Sequence, residues 1–305
     1  MSQATREAYG SALAKLVEER SDIIVLDADL TKSTKTIDAQ KIRPKQHFNM
    51  GIAEGNMMGV AAGLATSGKV VYASSFAMFA AGRAYEQIRN SIAYPHLNVK
   101  ICATHAGISV GEDGASHQCI EDLALMRVIP GMQVFQPCDA ASTEAIIRGI
   151  ADLDGPCYVR LGRCAVADVY TQGYTFTPGK GTILKKGKKI AIIASGMMVQ
   201  EALKACEILQ AEITIIDMAC IKPIDKDLIL SCAKEHDIIM TIEEHNIIGG
   251  LGSAVAEILS CTKTNVQQVM IGVNDCFGES GTPMELLAAY ALDAESIAEQ
   301  LKKYL

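Results

Sequence analysis

The sequence predicts an α/β fold of two domains, each with a mostly parallel sheet flanked by helices. Short apolar runs rich in β-branched residues alternate with longer segments of helical period along most of the 305 residues, which is typical of βαβ units. This alternation weakens between residues 168 and 188, where Tyr, Thr, Gly, Pro and Lys recur, and then resumes. We therefore expect a first domain over residues 1–180 and a second over residues 181–305, joined by a linker or an edge hairpin.

The elements of the first domain follow from the spacing of its apolar residues. Short, β-branched runs such as Ile-Ile-Val-Leu at 23–26 favour strands, whereas apolar residues three and four apart favour helices. A polar segment at 31–46 has no clear period. The predicted strands are 23–26, 70–73, 99–104, 132–136 and 157–161, and the predicted helices are 4–19, 54–66, 78–93, 121–128 and 141–151.

The same criteria give the second domain four strands and a set of helices. The strands are 190–194, 213–216, 238–242 and 266–271, and the helices are 199–209, 226–234, one that ends at 259 and a C-terminal pair. Gly250-Leu-Gly252 resembles part of a dinucleotide-binding loop, but no acidic residue closes the following strand as that fingerprint requires. We interpret it as a tight turn before a helix.

Charge and cysteine use narrow the class of protein. The formal net charge is -7, and no run of Lys or Arg is long enough to follow a phosphate backbone, so nucleic acid is not an expected partner. The ten Cys form no Cys-x-x-Cys pair and most lie in apolar runs, which is typical of free thiols in a reducing compartment. Because the N-terminus lacks an apolar signal core and polar residues interrupt the apolar segments, we expect a cytoplasmic protein without a membrane span.

The first candidate catalytic residue is Glu54, an acid among Ile52, Met57 and Met58 at the start of an apolar helix. One interpretation is an acid in the first helical turn that complements the helix dipole. The other is a carboxyl group in apolar surroundings, which holds its proton more firmly and can share it with a heterocyclic ring nitrogen. Both interpretations are open on the residues alone.

A glycine-broken loop after the strand at 99–104 carries His105, Asp113 and His117. Imidazoles are the usual acid–base groups at neutral pH, although polar residues in a plain turn are an equal alternative. We expect no metal here, because the loop has no pair of His four apart and no further close ligand. A hydrolase triad is also not favoured, since adjacent residues such as Ser116 and His117 seldom point at one another.

Several polar or aromatic side chains fall just after predicted strands of the first domain, where ligands gather in open parallel sheets. Phe76 and Phe79 either belong to the core or form a wall for a flat ring. The candidates at this edge are Asp27 and Asp29, Glu54, Ser75 and Phe76, His105, and Arg160 or Arg163.

These segments, in this order, resemble the C-terminal half of transketolase, a thiamine-diphosphate-dependent enzyme. The most specific match is Thr104-His105 followed by Gly111-Glu-Asp-Gly114 and His117-Gln118, and the supporting matches are Ala28-Asp-Leu30, Gly51-Ile-Ala-Glu54, Ser75-Phe-Ala-Met-Phe79, Gly162-Arg163 and Ile221-Lys-Pro223. The resemblance covers nearly all of the chain. The Gly-Asp-Gly motif with which full-length members hold Mg²⁺ and the diphosphate is absent from this sequence.

The resemblance implies the small subunit of a split transketolase, with a thiamine-diphosphate pyrimidine-binding domain followed by a transketolase C-terminal domain. An N-terminal subunit would carry the diphosphate site and the Mg²⁺ or Ca²⁺ site, around a homodimeric core in an α2β2 assembly. Together the chains would transfer a two-carbon ketol unit between sugar phosphates. Two alternatives are the β subunit of a 2-oxoacid dehydrogenase, which also has a glutamate after Gly-Ile-Ala, and a non-catalytic stabilising subunit.

The resemblance also implies roles for individual residues. Glu54 would bond the ring nitrogen of the aminopyrimidine, and Asp113 would read a donor hydroxyl group. The other implied cofactor contacts are Ile52, Phe76, Phe79 and Asp29, the residues that face the sugar are His105 and His117, and those that match sugar-phosphate positions are Arg163, Arg6 and Ser33.

Overall fold

The computed structural model describes residues 2–305 and has the predicted α/β architecture. Its strands are β1 (Ser2–Ala4), β2 (Ile23–Asp27), β3 (His47–Asn49), β4 (Val70–Phe76), β5 (Val99–Thr104), β6 (Gln133–Phe135), β7 (Cys157–Arg160), β8 (Ala165–Ala167), β9 (Thr182–Lys185), β10 (Ile190–Ala194), β11 (Thr214–Asp217), β12 (Cys220–Lys222), β13 (Ile238–Asn246) and β14 (Gln267–Val273). Its α-helices are α1 (Thr5–Glu19), α2 (Ile37–Ile42), α3 (Glu54–Thr66), α4 (Tyr85–Gln87), α5 (Asp122–Val128), α6 (Ala140–Gly149), α7 (Met198–Leu209), α8 (Lys226–Glu235), α9 (Leu251–Ser260), α10 (Pro283–Ala289) and α11 (Ala294–Lys302).

The strands form two large sheets, and the predicted fold class is confirmed. The first is a 7-stranded sheet in the order β12-β6-β7-β5-β4-β2-β3, parallel except for β12 at one edge. The second is a 5-stranded sheet in the order β14-β13-β10-β11-β9, parallel except for β9. Strands β2 and β10 are buried along their whole length, which explains why they are continuous apolar runs rather than alternating patterns.

The short elements α2, β9 and β12 have no counterpart among the predicted helices and strands. The polar segment at 31–46 contains α2, which is too short to show a clear period. The weak region at 168–188 contains β9, an edge strand whose burial alternates residue by residue. Strand β12 was not predicted, and although it follows β11 in the chain, it pairs with β6 of the first sheet. A three-residue strand whose partner lies far away in sequence carries no local signal.

The segment predicted as one helix at 78–93 is more irregular. It consists of π-helical turns at Met78–Arg83 and Ile88–Ala93 on either side of the short α4. Hydrophobic spacing does not distinguish a π turn from an α turn in so short a stretch. Because π turns are rare and often occur at functional sites, the first of them, which directly follows β4, is notable.

The two sheets share part of one core. A single cluster of buried apolar residues includes Met57 and Ile101 of the first sheet region together with Ile239 and Leu251 of the second. A buried ion pair also lies within the first sheet region. Arg160, in β7, is buried, and its Nε donates to both carboxylate oxygens of Asp122 at 3.0 and 2.9 Å.

The same guanidinium reaches into the second sheet. Nη2 of Arg160 donates to the carbonyl oxygens of Cys119 (3.0 Å) and Glu244 in β13 (2.9 Å), and the Tyr158 hydroxyl donates to Asp122 at 2.7 Å. A buried charge is tolerated when it is paired and hydrogen-bonded in this way. Arg160, one of the two candidates at the end of its strand, is therefore an internal clamp and not a ligand-facing residue.

We predict that Asp122→Ala lowers the free energy of unfolding by about 3–5 kcal/mol, because it leaves the Arg160 charge buried without a partner. Urea denaturation of the purified chain measures this loss. Glu19→Ala, which removes the exposed partner of Arg148, is the control and should cost far less, because exposed ion pairs contribute little to stability. Adding Arg160→Met to Asp122→Ala should restore part of the loss. Equally small losses of unfolding free energy in Asp122→Ala and Glu19→Ala would contradict a stabilising role for the Arg160–Asp122 ion pair.

Candidate active site

The candidate site lies along the carboxyl edge of the first sheet. Phe76 ends β4, His105 directly follows β5, and Glu54 begins α3 shortly after β3. These strands run parallel within one sheet, so their carboxyl ends meet at the same edge. Side chains that are up to about fifty positions apart in sequence therefore come together there.

Glu54 is buried, with 2% of its surface exposed. The turn before it is held by Asn49, whose Oδ1 accepts hydrogen bonds from the backbone of Gly51 (2.9 Å) and Asp29 (3.1 Å). Gly51 has φ +71°, which a glycine adopts without strain. The carboxylate of Glu54 accepts hydrogen bonds from Nη1 of Arg83 at 2.8 and 2.9 Å. The surroundings of Glu54 therefore include a guanidinium as well as the apolar neighbours that the sequence indicates.

The rings of Phe79 and Phe76 lie next to the Glu54–Arg83 ion pair. The Cζ atom of Arg83 lies 4.5 Å from the ring centroid of Phe79, within the range of a cation–π contact. The rings of Phe79 and Phe76 are stacked, with centroids 5.8 Å apart and planes inclined by 23°. The aromatic pair is therefore next to the buried acid and is not confined to the hydrophobic core.

Both loop histidines pack against these rings. His105 stacks on Phe76 with centroids 3.9 Å apart, and His117 meets Phe79 edge to face at 5.3 Å. His105 has φ +57°, an uncommon conformation for a residue with a side chain, and its Nδ1 is 2.9 Å from the hydroxyl of Thr104. The structure thus brings together both predicted histidines with the predicted aromatic pair.

The imidazole of His105 is neutral at ordinary pH. Burial, which contributes most, together with the positive charges of Arg6 and Arg163 and the neighbouring His117, lowers its pKa to about 3. A neutral imidazole has one nitrogen donor and one acceptor. His105 is therefore suited to hydrogen-bonding a hydroxyl or carbonyl group, and poorly suited to carrying a proton as a cation.

The residues predicted to bind a sugar phosphate form a cationic rim beside His105. Arg6 donates from Nη1 to the carbonyl oxygen of Ser33 at 3.0 Å, and its Nε is buried without a protein hydrogen-bond partner in the described chain. Burial lowers the pKa of Arg6, and the Arg163 charge adds to that effect. Arg163 is bound by Glu112 at 2.9 Å and by the carbonyl of Val110. The salt bridge to Glu112 raises the pKa of Arg163.

Three predicted residues lie at the periphery of this arrangement. Asp113 is exposed in the turn between Gly111 and Gly114, where its charge acts on Arg163. Ile52 is 78% exposed just before α3. Asp29 has φ +60° and borders a cleft of about 480 Å³ that Ser33 also lines. Asp113 and Ile52 are thus exposed to solvent, while Glu54 and Phe76 are buried.

Two features of the site were not predicted from the sequence: the position of Arg83 and the contact between Ser116 and His117. Arg83 follows Phe79 by four residues on one helical segment, the spacing at which side chains become neighbours, so this signal was available. Ser116 does point at the adjacent His117, with Oγ 3.0 Å from Nδ1, contrary to expectation. In a hydrolase triad, this nitrogen of the histidine bonds the orienting acid, and the serine bonds the other one. Ser116 contacts Nδ1 of His117, so the pair lacks the arrangement of a hydrolase triad.

Two family models match the chain: Transketolase, pyrimidine binding domain, over residues 1–167, and Transketolase, C-terminal domain, over residues 179–297. The chain belongs to the transketolase family. This finding confirms the resemblance drawn from the Thr104-His105 and Gly111-Glu-Asp-Gly114 motifs. The transketolase family implies thiamine diphosphate as the cofactor.

Individual relatives identify the part of transketolase to which the chain corresponds. A protein of Methanocaldococcus jannaschii described as a transketolase C-terminal section is 52% identical over 301 residues, which cover 97% of this chain and 94% of that protein. Rattus norvegicus transketolase is 37% identical over 98% of this chain but only 48% of its own length. A solved structure described as a split gene transketolase in an inactive beta4 tetramer matches with a TM-score of 0.90 and 53% identity, covering 99% of this chain and 98% of that chain. This transketolase chain is thus a C-terminal section.

Other features of this transketolase section concern metals, thiols and membranes. Among residues 2–305, no group of three or more His, Cys, Asp or Glu side chains is arranged to hold a metal ion. The ten cysteines are free thiols, and most of them are buried. No helix in the described residues is long and apolar enough to cross a bilayer.

The pKa of His105 predicts a pH-dependent stability. Between pH 6.5 and about 3, the unfolded chain binds a proton at this position that the folded chain does not, so the free energy of unfolding falls as the pH falls. We expect the stability of wild type relative to His105→Asn to drop by about 2 kcal/mol from pH 7 to pH 5. Asparagine tolerates the positive φ of this position.

Urea denaturation of both proteins at the two pH values measures this change. His96→Asn is the matched control, because exposed His96 also has a positive φ of +55°. It shows what the same substitution does at a positive φ outside the site. Parallel stability curves for wild type and His105→Asn would contradict the assignment of a neutral, buried His105.

Proposed function

We propose that this chain is the C-terminal subunit of a two-chain, thiamine-diphosphate-dependent transketolase, which transfers a two-carbon ketol unit from a ketose phosphate to an aldose phosphate. One observation carries the proposal: a buried acid, a stacked pair of rings and two imidazoles lie side by side at the carboxyl edge of the first sheet. Glu54 connects to Phe79 through Arg83, and Phe76 connects Phe79 to His105. The family match supplies the reaction class that such an arrangement serves.

The residues around Glu54 fit the aminopyrimidine ring of this cofactor. A buried carboxyl group can hydrogen-bond a ring nitrogen, and phenylalanine rings can stack on a flat heterocycle. The guanidinium of Arg83, itself flat and rich in N–H groups, already makes both kinds of contact. When bound, thiamine diphosphate would supply the electron sink for the electron pair of the broken C–C bond, and the protein supplies orientation and electrostatics.

We assign the remaining residues by their position around the site. Glu54 would hold the ring nitrogen and exchange a proton with it, while Phe76 and Phe79 stack on the ring. Ile52, exposed at the start of α3, and Asp29, on the neighbouring loop, would contact the cofactor from the rim.

The sugar would lie between the imidazoles and the arginines. Neutral His105 and the nearby His117 ring can hydrogen-bond hydroxyl and carbonyl oxygens, and Asp113 would accept from a donor hydroxyl. Arg6 and Arg163, with Ser33, would bind the phosphate, because guanidinium N–H groups match phosphate oxygens. The buried, unpartnered Nε of Arg6 supports this assignment, since it lacks an acceptor in the described chain.

A partner completes the proposed enzyme. We propose that an N-terminal subunit carries the diphosphate and the Mg²⁺ or Ca²⁺ site, and that two copies of each chain form an α2β2 assembly in the cytoplasm. The first domain, residues 1–180, would bind the pyrimidine end of the cofactor, and residues 181–305 would form the C-terminal domain. The structural neighbour described as an inactive beta4 tetramer supports activity that depends on a partner.

The first prediction is the activity itself. Mixed with the N-terminal chain, thiamine diphosphate, Mg²⁺, a ketose phosphate and an aldose phosphate, this chain should give ketol transfer, measured by formation of the new ketose. Oxidative decarboxylation of a 2-oxoacid would indicate a dehydrogenase β subunit instead, and no turnover would indicate a stabilising subunit.

Glu54→Ala should lower kcat by at least about 10²-fold without unfolding the chain. Glu86→Ala, an exposed acid on α4, is the control.

A second prediction separates phosphate binding from chemistry. Arg6→Ala and Arg163→Ala should each lower kcat/KM about 10- to 100-fold for a ketose phosphate, because each removes a hydrogen bond to a charged group. The same variants should change kcat/KM little for the unphosphorylated ketose. Arg20→Ala, which removes an arginine paired with Asp22 and Asp152 away from the site, is the control. Equal losses on both substrates would contradict the phosphate assignment.

A further inference from the structure

Arg83 is the unexpected residue of the site. Its guanidinium lies between the carboxylate of Glu54 and the ring of Phe79, at 2.8 and 2.9 Å from the carboxylate oxygens and 4.5 Å from the ring centroid. The Glu54 side chain is 2% exposed, whereas that of Arg83 is 51% exposed. Arg83 therefore lies on the solvent side of the acid and covers it.

We infer that Arg83 occupies the place of the aminopyrimidine ring in the free chain, and that cofactor binding requires the guanidinium to leave. This inference rests on the proposed function. A guanidinium is a flat group with N–H donors in its plane, so it can lie on an aromatic face while it donates to a carboxylate. An aminopyrimidine uses the same ring face and the same carboxyl group. The two groups therefore compete for one site.

The contacts of Arg83 are suited to being released. One nitrogen, Nη1, serves both oxygens of Glu54, so the pair lacks the two parallel hydrogen bonds of a strong arginine–carboxylate fork. The arginine is half exposed, and its charge can be solvated as soon as the side chain swings outward. Its backbone lies at the end of the π-helical turn Met78–Arg83, a type of turn often found at functional sites.

The competition is expected to weaken cofactor binding. While Arg83 is in place, it keeps the buried Glu54 carboxylate paired in the absence of the ring, and it reduces cofactor affinity by the strength of its own contacts. A partly exposed ion pair and an exposed cation–π contact together correspond to a factor of about 3 to 30 in affinity. Arg83 is thus a positioning residue for Glu54 and a competitor of the cofactor.

Calorimetric titration of thiamine diphosphate into the two-chain complex with Mg²⁺ tests this inference. Arg83→Ala should bind the cofactor about 3- to 30-fold more tightly than wild type. Arg83→Gln, which keeps a donor for Glu54 without the charge, is the second variant in case the alanine form is unstable, and it should also bind more tightly. Arg89→Gln, an exposed arginine on the following π turn, is the matched control and should bind like wild type.

A second measurement distinguishes competition from a general structural effect. Methylguanidine, added far below the concentration that unfolds the complex, should refill the vacated position in Arg83→Ala and weaken cofactor binding. It should leave cofactor binding to wild type unchanged. Methylamine, a cation without the flat fork, is the control ligand and should have little effect on either protein.

The outcomes separate the two proposals. Equal or weaker cofactor binding by Arg83→Ala, together with no effect of methylguanidine, would overturn the competition while leaving the proposed function intact. If neither wild type nor the variants bind thiamine diphosphate, the proposed function is wrong and the inference falls with it. Binding by Arg83→Ala alone would support both proposals.

Discussion

The buried ion pair between Arg160 and Asp122 is the interaction on which the site depends. Arg160 lies in β7 of the first sheet, and its guanidinium also bonds the carbonyl oxygens of Cys119 and Glu244. Cys119 closes the loop that begins at His105, so the clamp fixes the far end of that loop while β5 fixes its start. Because Glu244 belongs to β13, the same charge connects the loop to the second sheet.

The second domain therefore shapes a site that lies on the first. The side chain of Glu244 accepts a hydrogen bond from the backbone of Ser109 at 2.7 Å, and Gln118 donates to the carbonyl oxygens of Ile108 and Glu279. At Gly107, with φ +83°, an added Cβ would lie 2.2 Å from Oε1 of Glu244, so only glycine allows this approach. The orientation of His105 and His117 toward the aromatic pair thus depends on both domains.

Local sequence signals predicted the framework well, because buried strands such as Ile23–Asp27 and Ile190–Ala194 are short apolar runs and α3 is bounded by Glu54 and Thr66 as its apolar pattern indicates. Parallel strands also made the grouping of Phe76 and His105 predictable, since the carboxyl ends meet at one edge. The ion pair of Glu54 with Arg83 was not predicted, because the residues are 29 positions apart and lie on different elements, α3 and the π turn Met78–Arg83. Strand β12 was missed for the same reason: its partner, β6, is distant in sequence.

The site is graded from a buried base to an exposed, charged mouth. Glu54 is nearly inaccessible, the rings of Phe76 and Phe79 come next, and Asp113 and Arg163 lie at the surface. A carboxyl group responds to its surroundings most strongly where water is excluded, whereas exposed arginines can bind an anion without a large desolvation cost. Under the proposed function, this gradient matches a cofactor ring at the base and a sugar phosphate at the mouth. The position of Arg83 over Glu54 fits the same gradient, since a buried carboxylate without a partner is costly.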